Sequence, residues 1–319
     1  TGPAWNAPLA LDLVSRARET RGETRGAQDA LTSYSARADG WVYFYLDRPD
    51  AAENTLVRTD QLALDVLWKA PGLAKQRIVG RRDEKALPTS INYHIDHLSV
   101  VQDEFEDVIR IGDGDEVGAV IHPVAPGAER TYDYRVTDSL TLSYGGGEEV
   151  RVYELQVRPR RPDLPGFVGA LYLDRERAAI VRMVFSFTPS SYVDPYLDHI
   201  RISLDNALWL GEYWLPYRQE AEVRRELPEL DFLAGSVIRT RLTVGDYEFG
   251  LPLPDFLFMG PRVVNAGPPE VLEAFEFERG IYDDVAEAGL DPSPELAEVE
   301  TQIREIGLRR ALTGLAPVR

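Results

Sequence analysis

The sequence predicts an α+β fold: a strongly curved antiparallel sheet of about ten strands, covered by an N-terminal helix and followed by C-terminal helices. Three observations predict it. Apolar residues recur at helical spacing only towards the two ends of the chain. From Tyr34 to about Phe249 the pattern has period two, divided by Gly, Pro and Asp turns. Several of these runs are apolar on both faces, so they need cover on both sides. A sheet of that many strands must curl or close.

The elements follow in order. Residues 9–32 read as a helix, with Leu9, Leu13, Ala17, Ala27, Ala30 and Leu31 at helical spacing and Gly22 and Gly26 weakening it. Tyr34 to Leu46 carries Trp41, Tyr43 and Tyr45 on one face and Val42, Phe44 and Leu46 on the other. Leu62, Leu64, Val66 and Trp68 alternate cleanly up to Pro71-Gly72, and Leu73 to Gly80 returns as the paired strand. Ile91 to Val101 and Phe105 to Ile111 are further strands, and Tyr132, Tyr134 and Val136 begin another. Ser139 to Tyr144, Gly145-Gly146-Gly147 and Val150 to Val157 form a hairpin. Phe167 to Asp174 and Ala179 to Thr188 form a second, over Arg175-Glu176-Arg177, with Val181, Met183, Phe185 and Phe187 on one face. His199 to Leu204, Tyr213 to Arg224 and Ser236 to Phe249 complete the set.

Near residue 250 the composition shifts. Pro252, Pro254, Pro261, Pro268 and Pro269 mark a linker, and Glu270 to Ala288 and Pro294 to Leu312 read as acidic amphipathic helices. The expected division is residues 1–249 as the curved-sheet domain and 250–319 as a Pro-rich linker with an acidic helical extension.

The order of segments resembles the lipoprotein-localisation (LolA/LolB-like) superfamily and outer-membrane lipoprotein-sorting-like domains. The residues that carry the resemblance are SYSARADGWVYFYLD after the first helix, LALDVLWKAPGLAKQRIVG, VYELQVRPR, GALYLDRERAAIVRMVFSF and EYWLPYRQEAEV. Lys69-Ala70-Pro71, Asp174 with its turn, and Leu215-Pro216 match that family's short motifs in kind and order. The resemblance covers about residues 9–249, with a longer stretch from Glu84 to Thr137 than the simplest members have. It implies a half-barrel lidded by helices, an extracytoplasmic location in the periplasm or at the outer membrane, and an apolar ligand. The residues after 250 resemble the spacer that precedes a membrane barrel in some larger outer-membrane proteins.

Composition excludes other classes. Fifty-three acidic residues against 35 basic ones give a formal charge of −18, the wrong sign for a nucleic-acid backbone or an anionic lipid surface. The densest basic cluster, Arg158, Arg160 and Arg161, is cut by Pro159 and Pro162 and reads as a solvated loop. With no cysteine there is no disulfide, thiol chemistry or cysteine-held metal. The basic residues are 32 Arg and 3 Lys, a skew that reports a GC-rich genome more readily than a function. The chain opens on Thr1 without a charged or apolar leader, which fits a removed targeting segment or a piece of a longer chain. No run of 18 apolar residues predicts a membrane-spanning helix.

No residue cluster announces a chemistry. His94-Ile95-Asp96-His97, with His122 downstream, has metal-binding residue types. On a strand, however, His94 and Asp96 share a face and His97 points away. Gly112-Asp113-Gly114-Asp115-Glu116 is half of a calcium loop without its closing acid and reads as an acidic turn. Gly145-Gly146-Gly147 lacks the Lys and helix of a phosphate loop. Ser190-Ser191, Asp194, Asp198 and His199 lack a nucleophile elbow. The remaining signal is aromatic: Trp41, Tyr43, Tyr45, Trp68, Met183, Phe185 and Phe187 lie on strands at matching parity. They form either an ordinary core or the lining of an apolar cleft.

The leading expectation is therefore a non-enzymatic, extracytoplasmic binding domain that needs no cofactor or metal. It would hold a lipid or lipoprotein acyl chain against those seven residues, with the first helix as lid. The alternative is a structural periplasmic domain or accessory subunit of a membrane-embedded complex, docking on a membrane-protein partner through the C-terminal helices. A metal-dependent hydrolase ranks third. Nucleic acid is not an expected partner.

Overall fold

The structure is a computed structural model that describes residues 4–26, 31–47, 54–85, 105–111, 116–143, 149–226 and 235–283. It is built of helix α1 (Pro8–Gly26), strands β1 (Ser33–Asp47), β2 (Thr55–Lys69), β3 (Leu73–Lys85), β4 (Val108–Ile111), β5 (Val117–Ile121), β6 (Tyr132–Ser143) and β7 (Glu149–Pro159). These are followed by β8 (Phe167–Asp174), β9 (Ile180–Phe187), β10 (Leu197–Trp209), β11 (Tyr213–Glu226), β12 (Gly235–Phe249), β13 (Val263–Asn265) and the short helix α2 (Pro269–Glu273). Eleven strands follow one hydrogen-bonded order, β13-β3-β2-β1-β12-β11-β10-β9-β8-β7-β6, and β4 and β5 form a separate pair. β1 pairs antiparallel with β2 and β12, as do β2 with β3, β4 with β5, β6 with β7, β7 with β8, β8 with β9, β9 with β10 and β11 with β12, whereas β13 lies parallel to β3. The predicted large antiparallel sheet is thus present. The chain divides into two compact units, residues 1–22, 103–215 and 291–319, and residues 23–102 and 216–290. Each is taken by itself.

In the first unit the order β10-β9-β8-β7-β6 follows from consecutive hairpins. The hairpin of β8 and β9 closes over Arg175-Glu176-Arg177 as its turn chemistry predicts. Asp174 accepts the Arg177 N–H at 2.7 Å, and Ala178 takes the left-handed φ of 58°. β6 and β7 pair from Tyr132↔Pro159 to Ser143↔Glu149, while their Gly145-Gly146-Gly147 turn lies outside the described residues. α1 lies on this unit with Ala10, Leu13, Val14, Ala17 and Arg21 buried. That is the i, i+3, i+4, i+7, i+11 stripe of one helix face. It differs from the expected stripe in that Leu9 is half exposed. The helix runs through Gly22 to Gly26, residues 27–30 lie outside the described residues, and Leu31 and Thr32, within the expected span, are not helical. Each glycine costs a helix about 1 kcal/mol relative to alanine.

The second unit holds β13-β3-β2-β1-β12-β11, with its part of β11 beginning at Pro216. β1 is buried on both faces as its sequence predicts: Trp41, Tyr43 and Tyr45 on one, Val42 and Phe44 on the other, all 4% exposed or less. Directly opposed residues on β11 and β12 form ion pairs, Glu222 with Arg239 at 2.7 Å and Glu220 with Arg241 at 2.8 Å.

The Pro-rich stretch after residue 250 packs along this unit. Lys69 Nζ donates to the Leu253 carbonyl and pairs with Asp255 at 2.6 Å, and Lys75 Nζ donates to the Met259 and Pro261 carbonyls. β13 then adds to the edge of β3. The helix expected over Glu270 to Ala288 stops at Glu273. The chain beyond it is not helical as far as Asp283, because Phe275 and Phe277 are drawn onto the sheet. Phe275 fills the space a Cβ on Gly80 would occupy, 2.4 Å from its ring. Ile91 to Val101, residues 284–290 and Pro294 to Leu312 lie outside the described residues.

Candidate functional site

The site is built on the unit-one strand residues Met183, Phe185 and Phe187. They alternate along β9 and so share a face. Phe185 and Phe187 are fully buried and Met183 is 6% exposed. Phe185 stacks on Phe167 at 4.8 Å, meets Phe187 edge-on at 5.5 Å and takes the edge of Phe105 at 5.9 Å. Gly169 makes this packing possible. It sits opposite Phe185 in the β8–β9 ladder, and a Cβ there would come within 2.6 Å of Phe185 Cα. Tyr132 and Tyr134 extend the aromatic patch, their rings 6.5 Å apart. Their hydroxyls donate to the Ile121 and Pro123 carbonyls, and the Tyr132 oxygen also accepts the Phe167 N–H. Burial pushes the Tyr132 phenol up to about 12 and raises Tyr134 as well, so both act as neutral donors.

α1 is fastened in this unit by polar contacts along its length. Arg16 donates to the Arg175 and Glu176 carbonyls and Thr20 to the Arg177 carbonyl. Arg18 pairs with Glu129 at 2.6 Å and donates to the Val124 carbonyl. Arg21 pairs with Asp107 at 2.7 Å and donates to the Phe105 carbonyl.

A small cavity lies among Arg21, Phe105, His122, Ile180, Met183, Leu204 and Asn206. Its volume of about 20 Å³ is enough for one water molecule. Four of its walls are apolar. Arg21 and His122 are both buried there, and His122 Nδ1 accepts the Val124 N–H at 3.2 Å.

The seven predicted ligand residues fall on both units. Met183, Phe185 and Phe187 belong to the first unit, and Trp41, Tyr43, Tyr45 and Trp68 to the second. Trp41, Tyr43 and Tyr45 form a cluster with Val237, flanked by Leu56. The chain's own later segment covers it: the Arg279 guanidinium lies 4.8 Å from the centre of the Trp41 ring, and Gln61 donates to the Arg279 carbonyl. Trp68 stacks on Tyr34 at 5.6 Å. Sequence reasoning missed Arg21, Phe105, Ile180, Leu204 and Asn206. Only Arg21 left a signal, as the one charged residue on the buried stripe of α1.

The other candidates resolve locally. His94, Asp96 and His97 and residues 112–115 lie outside the described residues. His122 lines the cavity. His199 Nδ1 sits 3.1 Å from Asp198, while the Ser191 hydroxyl accepts the Gly166 N–H and bonds Thr188, so no serine–histidine pair forms. Arg158 and Arg160 are not idle solvated charges. Both pair with Asp133, and Arg158 lies 3.9 Å from the Trp5 ring centre. Among the described residues no three His, Asp or Glu side chains are grouped to hold a metal, and no helix is long and apolar enough to cross a membrane.

No protein-family model matches the chain, and no curated protein sequence does. Solved structures of the kind the sequence resembles do match it. A DUF1329 family protein from Desulfovibrio piger is 11% identical, covering 77% of this chain and 96% of its own, with a TM-score of 0.30. An outer membrane lipoprotein-sorting protein domain from Vibrio parahaemolyticus is 13% identical over 77% and 97%, with a TM-score of 0.29. A LolA superfamily protein from Nitrosomonas europaea is 18% identical over 79% and 97%, with a TM-score of 0.24. At such TM-scores the likeness adds no argument about the site, which rests on its residues.

Proposed function

We propose that the chain is a non-enzymatic, extracytoplasmic binding domain that holds an acyl chain of a lipid or lipoprotein. The compartment and the half-barrel form are those the sequence resemblance implies. In this proposal the chain enters the first unit, between α1 and the floor of Phe105, Met183, Phe185 and Phe187. Trp41, Tyr43, Tyr45 and Trp68 serve as core of the second unit.

The observation that supports the reading is the contrast under α1. The helix is held through arginine and threonine contacts to loop carbonyls and carboxylates, whereas the cavity beside it has Phe105, Ile180, Met183 and Leu204 among its walls, next to Arg21, His122 and Asn206. A cavity of one water's size admits an acyl chain only if α1 or Phe105 moves aside, so α1 acts as the lid. Partition supplies the affinity. About 0.8 kcal/mol per buried CH₂ gives roughly 5–6 kcal/mol for half of a fourteen-carbon chain, set against the apolar α1 contacts it replaces.

Native mass spectrometry of gently purified protein, followed by organic extraction, tests this. The expected result is a stoichiometric mass excess that extraction removes. A bare apoprotein mass, together with fatty-acid probes that neither bind nor compete, overturns it.

The second reading is an accessory domain with a filled core. The mutual packing of Phe105, Phe167, Phe185 and Phe187 favours it. A bare mass in the same experiment would make it the working function.

A further inference from the structure

The segment after α2 lies on the second unit as a peptide lies on a receptor. Phe275, Phe277 and Arg279, at the spacing of an extended chain, each meet the sheet through a ring or a guanidinium. The Arg37 guanidinium lies 5.7 Å from the Phe275 ring centre and that of Arg82 lies 4.7 Å from the Phe277 ring centre. Arg279 sets its own guanidinium 4.8 Å from the Trp41 ring centre. All three are within cation–π reach. Gln61 and Arg82 both donate to the Arg279 main-chain carbonyl. Beneath Phe275 the sheet leaves out a side chain: Gly80 pairs with the small Ala63, and a Cβ on Gly80 would lie 2.4 Å from the ring. The face thus offers a notch for one aromatic ring, a cation for a second, donors for a carbonyl and an aromatic platform for a cation.

This strap is an imperfect occupant. Trp41 is 1% exposed, and its indole N–H has no hydrogen-bond partner among the described residues. Thr59, opposite Tyr43 in the adjoining cross-strand row, is also 1% exposed with an unpartnered hydroxyl. A buried donor left unpaired costs free energy that a better-placed acceptor recovers. Glu278 brings a like charge towards Asp39 and helps hold that carboxyl above its usual value. Phe275 and Phe277 are only half-buried, and Glu276, Glu278 and Arg279 are exposed, so little apolar area fastens the strap. We propose that this face of the second unit recognises an extended peptide of a partner protein, with the pattern aromatic-x-aromatic-x-Arg, and that the chain's own strap occupies it as a displaceable stand-in. Repulsion by Asp39 favours a partner that is neutral where the strap has Glu278. The site belongs to the second unit, so it stands or falls apart from the acyl-chain reading of the first.

The test is fluorescence anisotropy of labelled peptides added to the full chain. One peptide has the strap sequence from Glu273 to Tyr282, a second is the same with Glu278→Gln, and a third has the strap residues in scrambled order. A tethered strap competes at an effective concentration on the order of millimolar. The parent should therefore bind the strap peptide at least tenfold more weakly than Phe275→Ala/Phe277→Ala, whose strap has lost both rings. That variant should bind the Glu278→Gln peptide several-fold tighter than the strap peptide, and adding Gly80→Ala, which fills the notch, should remove binding of both. If the double variant does not fold, Glu278→Gln in the chain keeps the test open: its own strap then holds better, so the Glu278→Gln peptide should bind it several-fold more weakly than it binds the parent. Equal affinity of parent and double variant for the strap peptide overturns the proposal, as does no binding to a folded double variant. A scrambled peptide that binds as well as the strap peptide overturns it too. Dimerisation of the parent that the double variant loses would overturn the choice of occupant and assign the site to the strap of a second copy.

Discussion

Single side chains decide how firmly each unit is held. Phe185 is fully buried against three other phenylalanines, so Phe185→Ala removes a ring's transfer energy and leaves a cavity. A loss of about 3–5 kcal/mol is expected in denaturant unfolding, and a loss under 1 kcal/mol would show a loose floor. Asp39, on β1 of the second unit, gives a pH signature. Burial raises its carboxyl above the usual value of 3.8, and the nearby Glu278 and Asp246 push the same way, against Arg37 and Arg279. The folded form therefore holds this proton to a higher pH than the unfolded form does. Stability falls as pH rises from 3.8 through the raised value, and the full penalty is present above it. Asp39→Asn should have a higher Tm than the parent at pH 7, with the difference closing as pH falls towards 3.8. Parallel Tm–pH curves for the two proteins would contradict this assignment.

At the scale of elements, the segment after α2 behaves as a strap on the second unit. Phe275 occupies the notch above Gly80, and the Arg82 guanidinium lies 4.7 Å from the Phe277 ring centre. Gly80→Ala places a methyl inside the Phe275 ring, so the strap must shift. The expected cost is about 1–3 kcal/mol, with faster amide exchange over residues 275–281. Unchanged exchange would mean that the strap does not depend on the notch.

This strap marks the limit of what the sequence discloses. The hairpin strands were legible because Arg175-Glu176-Arg177 and the flanking alternation are local signals. β5 was too short to register. The segment from 250 to 283 looked like a linker because its prolines forbid regular structure. What fixes it is remote: Lys69 and Lys75 reach its carbonyls from strands nearly two hundred residues earlier. The site divides the same way. The shared face of Met183, Phe185 and Phe187 follows from parity, whereas Arg21, Phe105, Leu204 and Asn206 are gathered around Met183 only by folding.

Over the whole molecule the governing quantity is the formal charge of −18. Such an excess repels itself in the compact state, and the repulsion acts at long range. Several opposite pairs are short and shielded: Arg182 with Asp205 at 2.9 Å, Arg239 with Glu222 at 2.7 Å, and Arg58 with Asp60 at 2.8 Å, all with side chains less than a fifth exposed. Raising ionic strength from about 10 mM to about 150 mM shortens the screening length from roughly 30 Å to 8 Å. It removes distant repulsion while leaving contacts below 3 Å largely intact. Added sodium chloride should therefore raise Tm by a few degrees over that range. A fall in Tm would mean that exposed pairs such as Arg18–Glu129 and Lys69–Asp255, rather than the excess of acid, dominate the electrostatics of folding.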